Sequence, residues 1–247
     1  MIRYLQRNLI LIATAFTVSG LVIVPVKASE KEVIHATANN IRFFSFKNSN
    51  GGFKPLFKKD LSNADYNKEV WSYKDGILTA TSDEAIWTLE EYENFILDLE
   101  LKNDINTNSG VIIYCPDKNN WIPTSIEIQI ADDYHEMWQS LPENVRCGSI
   151  FGHKGANEQF VVKKPGLWNR LIIRAKGQQI EIQLNGKIII DANLAEWTSG
   201  SKNPDGTDVP EWLPQPYAEL QTKGYIGFQG KHGESNIWFR NIKIKQF

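Results

Sequence analysis

Several features that mark common protein classes are scarce in this chain of 247 residues. The only cysteines are Cys115 and Cys147, so no dense disulfide scaffold is encoded, although an exported protein could pair these two. They also lack the paired spacing of a cysteine zinc site. With 27 basic and 29 acidic residues, the chain has neither the basic excess of a nucleic-acid-binding protein nor an acidic tail. Nucleic acid is therefore not an expected partner.

The short motifs of several enzyme classes are missing as well. The sequence contains no nucleophile elbow, no phosphate-binding loop and no His-Glu-x-x-His metal motif. It shows no repeat of solenoid or propeller period. Any active site must therefore be assembled from residues that lie far apart in the sequence.

The longest apolar run lies at the N-terminus. Arg3 and Arg7 precede an apolar stretch over residues 9–26, and Ala28 provides a small residue of the kind found at signal-peptide cleavage sites. This layout is typical of a secretory signal peptide cleaved near Ala28. An uncleaved membrane anchor is the alternative, since the run has about the ~18 residues that a spanning helix needs; Pro25 and Ala28 favour cleavage.

The remaining chain predicts one large domain behind a leader. We expect a signal peptide over residues 1–28, a polar leader over residues 29–50 and a domain over residues 51–247. The mature protein is then periplasmic or secreted in a bacterial envelope, with no stable membrane anchor after cleavage.

Short β-type runs dominate the predicted domain. Turn residues separate them at nearly every junction, and the runs are GILTAT, FILDLELK, GVIIYC, SIEIQI, RLIIRAK, IEIQL, KIIID, YIGFQ and NIWFRNIKIK. The one helical candidate, DANLAEW, is short. The pattern predicts an all-β fold of packed antiparallel sheets.

Two of these runs give a register. In SIEIQI, the alternation predicts that Ile126, Ile128 and Ile130 face the core while Glu127 and Gln129 share the opposite face. In QQIEIQLNGKIIID, the Asn-Gly pair at 185–186 suits a type I′ turn, which directs Ile180, Ile182 and Leu184 to the core.

Several polar groups are candidates for a site on the face of Glu127 and Gln129. In YIGFQG, Gln229 alternates with core positions, so it can share that face; Asp132, His153, His232 and Arg240 add further polar groups. Each has a plainer interpretation as a solvated surface or turn residue. Composition alone does not decide between the two.

Residues 191–223 interrupt the strand rhythm with prolines and with Trp197 and Trp212. A loop of this length in a compact domain is usually functional or disordered, and its aromatic residues argue against disorder. Two roles remain open, covering a binding surface or protecting a sheet edge.

Seven blocks in fixed order resemble the 3-keto-disaccharide hydrolase domain family. They are GGFKPLFKKDLSNAD, NSGVIIY, SIEIQIADD, CGSIFG, KKPGLWNRLIIRAKGQQIEIQLNGKIIID, EWTSGSKNPDGT and KGYIGFQGKHGESNIWFRNIKIK, spanning essentially the whole predicted domain. The resemblance implies a concanavalin A-like jelly-roll β-sandwich of two antiparallel sheets whose concave face binds sugars.

The same resemblance implies a polar site. Its polar block matches Glu127, Gln129 and Asp132, and its glycine-histidine block matches Gln229 and His232. The chain departs from the family pattern where Tyr114 stands in place of an arginine, and where Lys231 precedes His232 in place of an aspartate. Another cation, such as Arg174, Arg240 or a metal ion, would then have to polarise a substrate carbonyl.

The implied activity is cleavage of a 3-keto-glycoside. Glu127 or His232 would act as the base, while Gln129 and Gln229 orient sugar hydroxyls. No cofactor is certain, and a divalent metal held by Glu127, Asp132 and His232 is a hypothesis from residue type. The expected partners are a carbohydrate substrate and a sugar oxidoreductase that supplies the keto group.

Other functions remain open at this point. The enzyme alternative is direct hydrolysis by a pair of carboxylates. A carbohydrate-binding, lectin-like module without turnover would use the same polar groups, with Trp197, Trp212 and other tryptophans stacking on sugar rings. A structural envelope protein would bind no sugar.

Overall fold

The computed structural model describes residues 52–247, which contain thirteen strands and two short helices. The strands are β1 Lys54–Pro55, β2 Ala64–Asp65, β3 Trp71–Lys74, β4 Ile77–Ala80, β5 Ile86–Tyr92, β6 Phe95–Asn103, β7 Asn108–Cys115, β8 Ile126–Ala131, β9 Trp168–Lys176, β10 Gln179–Leu184, β11 Lys187–Asn193, β12 Gly224–Phe228 and β13 Ile237–Gln246. The helices are α1 Trp121–Thr124 and α2 Glu136–Gln139, and three-residue 3₁₀ turns cover Glu143–Val145, Leu194–Glu196 and Tyr217–Glu219.

These strands form two antiparallel sheets. The eight-stranded sheet has the order β11-β10-β9-β6-β13-β4-β3, with β1 paired to β13, and the five-stranded sheet has the order β2-β5-β12-β7-β8. Apolar side chains from both sheets form one continuous core cluster between them. The predicted all-β sandwich is confirmed, because strands with one apolar face can bury it only against a second layer.

The two predicted registers are also confirmed. Ile126, Ile128 and Ile130 are buried in the core. At the β10–β11 turn, Asn185 and Gly186 both adopt positive φ, 50° and 87°, as a type I′ turn requires. The inward-facing residues of β10 are buried as predicted, and they are Ile180, Ile182 and Leu184.

Cys115 and Cys147 are both buried as free thiols. Cys147 belongs to the core cluster between the sheets, whereas Cys115 belongs to a second apolar cluster with Trp87 and Ile112. The disulfide that export would permit is therefore not formed in this fold.

The helical prediction for DANLAEW is only partly right. Residues up to Asn193 continue strand β11, and a single 3₁₀ turn, Leu194–Glu196, follows. No helix within residues 52–247 is long and apolar enough to cross a membrane. The predicted signal peptide and leader lie outside the described residues.

Candidate functional site

The outer face of the five-stranded sheet gathers most of the polar residues singled out in the sequence. Glu127 and Gln129 leave β8 on the side opposite the core isoleucines. Gln229, directly after β12, lies on the same face, because its neighbours Ile226 and Phe228 are buried in the core. Strand β7 runs between them, with Gly110 paired to Gln129 and bonded through its carbonyl oxygen to the Gln229 N–H.

Gly110 makes room for the Glu127 side chain. A Cβ atom at Gly110 would lie 2.2 Å from Oε1 of Glu127 and 2.8 Å from its Cγ. The Glu127 side chain therefore lies across the backbone of β7. Glycine in a strand interior often marks such a close approach.

The Glu127 carboxyl has an unusual environment. It forms no hydrogen bond and no ion pair with any residue from 52 to 247, although the residue is only partly exposed. Burial raises the pKa of Glu127 to about 8, and the negative charge of Asp83 adds to the shift. A carboxyl with a pKa near neutrality can give or accept a proton under physiological conditions.

A small hydrogen-bond network lies next to this carboxyl. Nδ1 of His232 is 2.5 Å from Oδ2 of Asp83, and the Gln229 side-chain amide donates to Oδ1 of the same aspartate at 3.3 Å. On the other side, the Gln129 amide donates to Oδ1 of Asn108 at 3.0 Å. Asn108 in turn forms a β-bridge with His232. The network thus links the β8 residues to the glycine-rich segment after β12.

His153 and Tyr217 form an aromatic pair at the edge of the site. Their ring centroids are 3.7 Å apart with an interplanar angle of 17°. Nδ1 of His153 donates to the carbonyl oxygen of Phe151 at 2.9 Å, and burial lowers the pKa of His153 to about 4, so the ring is neutral near pH 7. The Phe151 N–H donates to the Glu127 carbonyl oxygen at 2.9 Å, which places the pair beside β8.

Tyr217 brings residues 191–223 to this site. Burial and the nearby charge of Glu127 raise the pKa of its phenol. Tyr217 is buried, and its hydroxyl makes no hydrogen bond with another described residue. Trp197, from the same segment, is buried and donates its Nε1–H to Oδ1 of Asn203 at 3.1 Å.

Comparison with known proteins identifies the family. A family model described as a 3-keto-alpha-glucoside-1,2-lyase-like domain matches residues 52–245. A crystal structure of a candidate glycosyl hydrolase from Parabacteroides distasonis ATCC 8503 is 58% identical, with a TM-score of 0.79, and the alignment covers 80% of this chain and 100% of that chain. The chain belongs to this lyase-like domain family. The resemblance found in the sequence is thereby confirmed.

More distant structures share the fold of this lyase-like domain. A second candidate glycosyl hydrolase from Parabacteroides distasonis ATCC 8503 is 24% identical, with a TM-score of 0.66, over 79% of this chain and 94% of that one. The VIP36 exoplasmic/lumenal domain, in a form with bound Ca²⁺ and Man3GlcNAc, is 15% identical, with a TM-score of 0.50, over 80% and 91% of the two chains. No curated protein matches the sequence.

Beside the polar network, the lyase-like domain carries an apolar patch on the same sheet face. A Cβ atom at Gly227 would lie 2.4 Å from the Trp87 ring, so this ring lies across β12. Trp87 packs with Ile112 and Cys115 in a cluster of its own, and Trp121 meets Trp87 edge-on with ring centroids 6.3 Å apart. One half of the face is therefore polar and the other half apolar.

Position 114, where the resemblance led us to expect an arginine, does not face this site. The pairing of β7 with β12 shifts register here, since Gly227 pairs with Ile112 but Tyr225 pairs with Cys115. Tyr114 adopts φ 57° in this bulge, is fully buried, and donates its hydroxyl to the Gly177 carbonyl oxygen at 2.9 Å. The chain therefore turns the tyrosine into the core.

Two predicted cations lie on the wrong side of the sandwich. Arg240, on β13 of the eight-stranded sheet, donates from Nε to Glu100 at 2.5 Å and lies 4.0 Å from the Trp168 ring centroid. Arg174, on β9 of that sheet, lies over the Phe247 ring. The core separates both from Glu127, so the prediction that either serves this site is wrong.

Two other predicted site residues, Asp132 and Trp197, have structural roles. The Asp132 carboxylate is buried and accepts hydrogen bonds from the backbone N–H groups of Asn106 and Tyr134, both at 3.0 Å. It fixes the loop after β8, as its turn interpretation suggested. Trp197 packs in the core, and Trp212 is 62% exposed in the long segment. None of the three joins the polar network.

The hypothetical metal site is not assembled. Among the described residues, no three His, Cys, Asp or Glu side chains converge to hold an ion. Of the three ligands suggested by residue type, Asp132 is engaged by backbone N–H groups and His232 is engaged by Asp83. Glu127, Asp132 and His232 therefore do not form that site.

Three residues of the site escaped sequence reasoning. Asp83 lies in the turn between β4 and β5, Asn108 begins β7, and Tyr217 lies in a 3₁₀ turn of the long segment. Asp83 provides the carboxylate that the resemblance places directly before the histidine. The proline-rich, aromatic composition of residues 191–223 was the only available signal for Tyr217.

Proposed function

We propose that this protein is an exported glycoside-cleaving enzyme that acts on 3-keto-glycosides or related sugars, with Glu127 as its catalytic base. The observation that carries the proposal is the Glu127 carboxyl, which has no protein partner within residues 52–247 and a pKa raised to about 8 by burial and by Asp83. Membership of the lyase-like domain family supports the same substrate class.

The proposed reaction begins at carbon 2 of the sugar. A carbonyl at carbon 3 acidifies the carbon 2 proton, because the electron pair left behind is held as an enolate. Ionised Glu127 takes this proton; a carboxylate of raised pKa is a stronger base than an ordinary one. The enolate then re-forms the carbonyl while the carbon 1–oxygen bond breaks, giving a double bond between carbons 1 and 2. Addition of water across it completes a net hydrolysis.

The surrounding groups suit the remaining steps. In this proposal the amides of Gln129 and Gln229 orient sugar hydroxyls, and the Tyr217 hydroxyl donates a hydrogen bond to the enolate oxygen. His232, held by Asp83, is the candidate acid that protonates the departing oxygen. Trp121, a partly exposed ring beside the apolar cluster around Trp87, would face the less polar side of a bound sugar.

The proposal also concerns where the enzyme acts and what supplies its substrate. The N-terminal signal-peptide pattern, made of Arg3, Arg7, the apolar run and Ala28, favours export to the periplasm or medium. Because ordinary glycosides carry a hydroxyl at carbon 3, an oxidoreductase must first convert it to a ketone. A sugar oxidoreductase is therefore the expected partner in the pathway.

The decisive experiment offers the purified mature protein a 3-keto-glucoside and the matching unoxidised glucoside. Turnover of the keto substrate alone, lost in Glu127→Gln and His232→Ala but kept in the exposed control Glu158→Gln, is the expected result. Turnover of the unoxidised glucoside would instead indicate direct hydrolysis. Sugar binding without any turnover would indicate a lectin-like module and would refute the proposal.

A further inference from the structure

A charged cleft lies on the opposite side of the sandwich, on the outer face of the eight-stranded sheet. Its volume is about 700 Å³, and side chains of β6, β9 and β13 form its floor. The core separates this cleft from Glu127. Its lining includes Phe53, Lys59, Tyr73, Asp98, Arg170 and Lys243.

One buried carboxylate organises the floor of the cleft. The Asp98 side chain is only 5% exposed and accepts hydrogen bonds from Nε and Nη2 of Arg170 at 2.9 and 2.7 Å. Nζ of Lys243 lies 3.2 Å from the same carboxylate. Burial opposes ionisation, but the contacts with Arg170 and Lys243 outweigh it and lower the pKa of Asp98. Two cations are thus fixed in place by one anion.

Both cations keep donors that Asp98 does not use. A guanidinium group has more N–H donors than the two engaged here, and an ammonium group has three donors. The exposed Lys59 adds a cation on the cleft wall that has no ion pair among the described residues. Glu100, the other acid of the cleft, is occupied by Arg240 and Asn241. The cleft therefore presents solvent-exposed donors that Asp98 does not use, and excess positive charge.

Aromatic rings complete the wall. Phe53 is 41% exposed, with Nζ of Lys243 5.3 Å from its ring centroid, and Tyr73 is partly buried in the lining. On β9, Trp168 lies two residues before Arg170 on the same sheet face, so rings continue beyond the cleft. Ring faces beside cations suit a ligand that has both an apolar face and an anionic group.

We propose that this cleft binds a glycan that contains uronic acid residues, as an anchoring site separate from the Glu127 site. The sugar carboxylates would meet Arg170, Lys243 and Lys59, while ring C–H groups contact Phe53 and Tyr73. A volume of about 700 Å³ is in the range of sites for organic ligands and far exceeds what a single small anion fills. The inference rests on this face alone and does not depend on the proposed activity.

Calorimetric titration of the mature protein with trigalacturonate at low salt tests the proposal. The double variant Lys59→Gln/Lys243→Gln keeps the Arg170–Asp98 pair and should bind at least about tenfold more weakly. Lys187→Gln, which removes an exposed lysine paired with Glu158, is the matched control and should bind normally. Glu127→Gln should also bind normally. Added salt should weaken binding by the native protein.

Several results would overturn the proposal. They are the absence of trigalacturonate binding, equal binding of a neutral trisaccharide, and equal weakening in Lys187→Gln. Loss of binding in Glu127→Gln with retention in the double variant would assign the ligand to the other face. Thermal unfolding of each variant shows whether it is folded. Failure of this test leaves the keto-glycoside assay unaffected, because that assay probes the opposite sheet.

Discussion

Replacing Glu127 by glutamine is expected to stabilise the folded domain at alkaline pH. The carboxyl has an ordinary pKa of 4.5, and burial raises this pKa to about 8 in the folded protein. Between these values the folded state binds more protons than the unfolded state, so the free energy of unfolding falls as pH rises. Glutamine has nearly the same shape and does not ionise, so the variant avoids this loss.

The size of the effect follows from the pKa difference. Each pKa unit corresponds to about 1.4 kcal/mol, so full burial would cost the native protein about 4 kcal/mol between about pH 5 and pH 9. Water reaches part of the side chain and screens the charge, which reduces the expected difference to about 2 to 4 kcal/mol. This is a substantial share of a total stability of about 5 to 15 kcal/mol.

Urea unfolding, followed by tryptophan fluorescence at a series of pH values, measures this difference. Asp133, whose pKa burial raises to about 6, contributes equally to both proteins and cancels in the comparison. Glu158→Gln removes an exposed carboxylate and should show no comparable trend. A stability difference that stays constant with pH, or a native protein more stable than Glu127→Gln near pH 9, would refute the reasoning.

Four further predictions concern the site and one turn. If Glu127 is the base, kcat/KM should rise with pH through about 8; a falling limb there would assign it the role of acid. Gly110→Ala should reduce kcat about a hundredfold without unfolding the domain, because its methyl group displaces Glu127; unchanged kcat with intact circular dichroism would contradict this. Asp83→Asn should shift the rise of kcat/KM to lower pH, because it removes a negative charge near Glu127 and so lowers the pKa of that carboxyl. A shift of this rise to higher pH would disprove the coupling. Asn185→Ala should lower the free energy of unfolding, measured in urea, by about 2 to 3 kcal/mol, because Asn185 combines positive φ with side-chain hydrogen bonds. Asn185→Gly permits the same turn conformation and should lower the free energy of unfolding less.

The sandwich could be predicted from the sequence because its strands repeat with period two. In SIEIQI, the alternation alone separates Ile128 from Glu127, and at 185–186 the Asn-Gly pair sets the hairpin register. The same logic placed Gln229 outside the core. Periodicity assigns a side chain to one face of its strand, and this is sufficient wherever the core partner is unambiguous.

The rest of the site depends on tertiary structure that periodicity does not encode. Arg240 lies in a run that was predicted to be a strand, but the sequence does not say which sheet this strand joins. Asp83 and Tyr217 lie in turns without a periodic pattern, and only the pairing of distant strands brings them near Glu127. The sequence places Trp197 in a long segment between strands but does not tell whether its side chain is buried or exposed. These positions share one property: each depends on which distant segments pack together, and periodicity within one strand does not contain that information.

The register shift in β7 has a consequence for protein engineering. A residue-by-residue graft of the arginine expected at position 114 would drive a guanidinium group into the core, against the Phe95 ring and away from solvent. The outward positions on either side of the bulge are 112 and 115, and both are fully buried in the apolar cluster around Trp87. A cation added at Ile112 or Cys115 would likewise lose its contact with water, so neither position replaces the expected arginine. Because of the bulge, the residue that matches the family's arginine in the sequence does not occupy an outward-facing position in the strand.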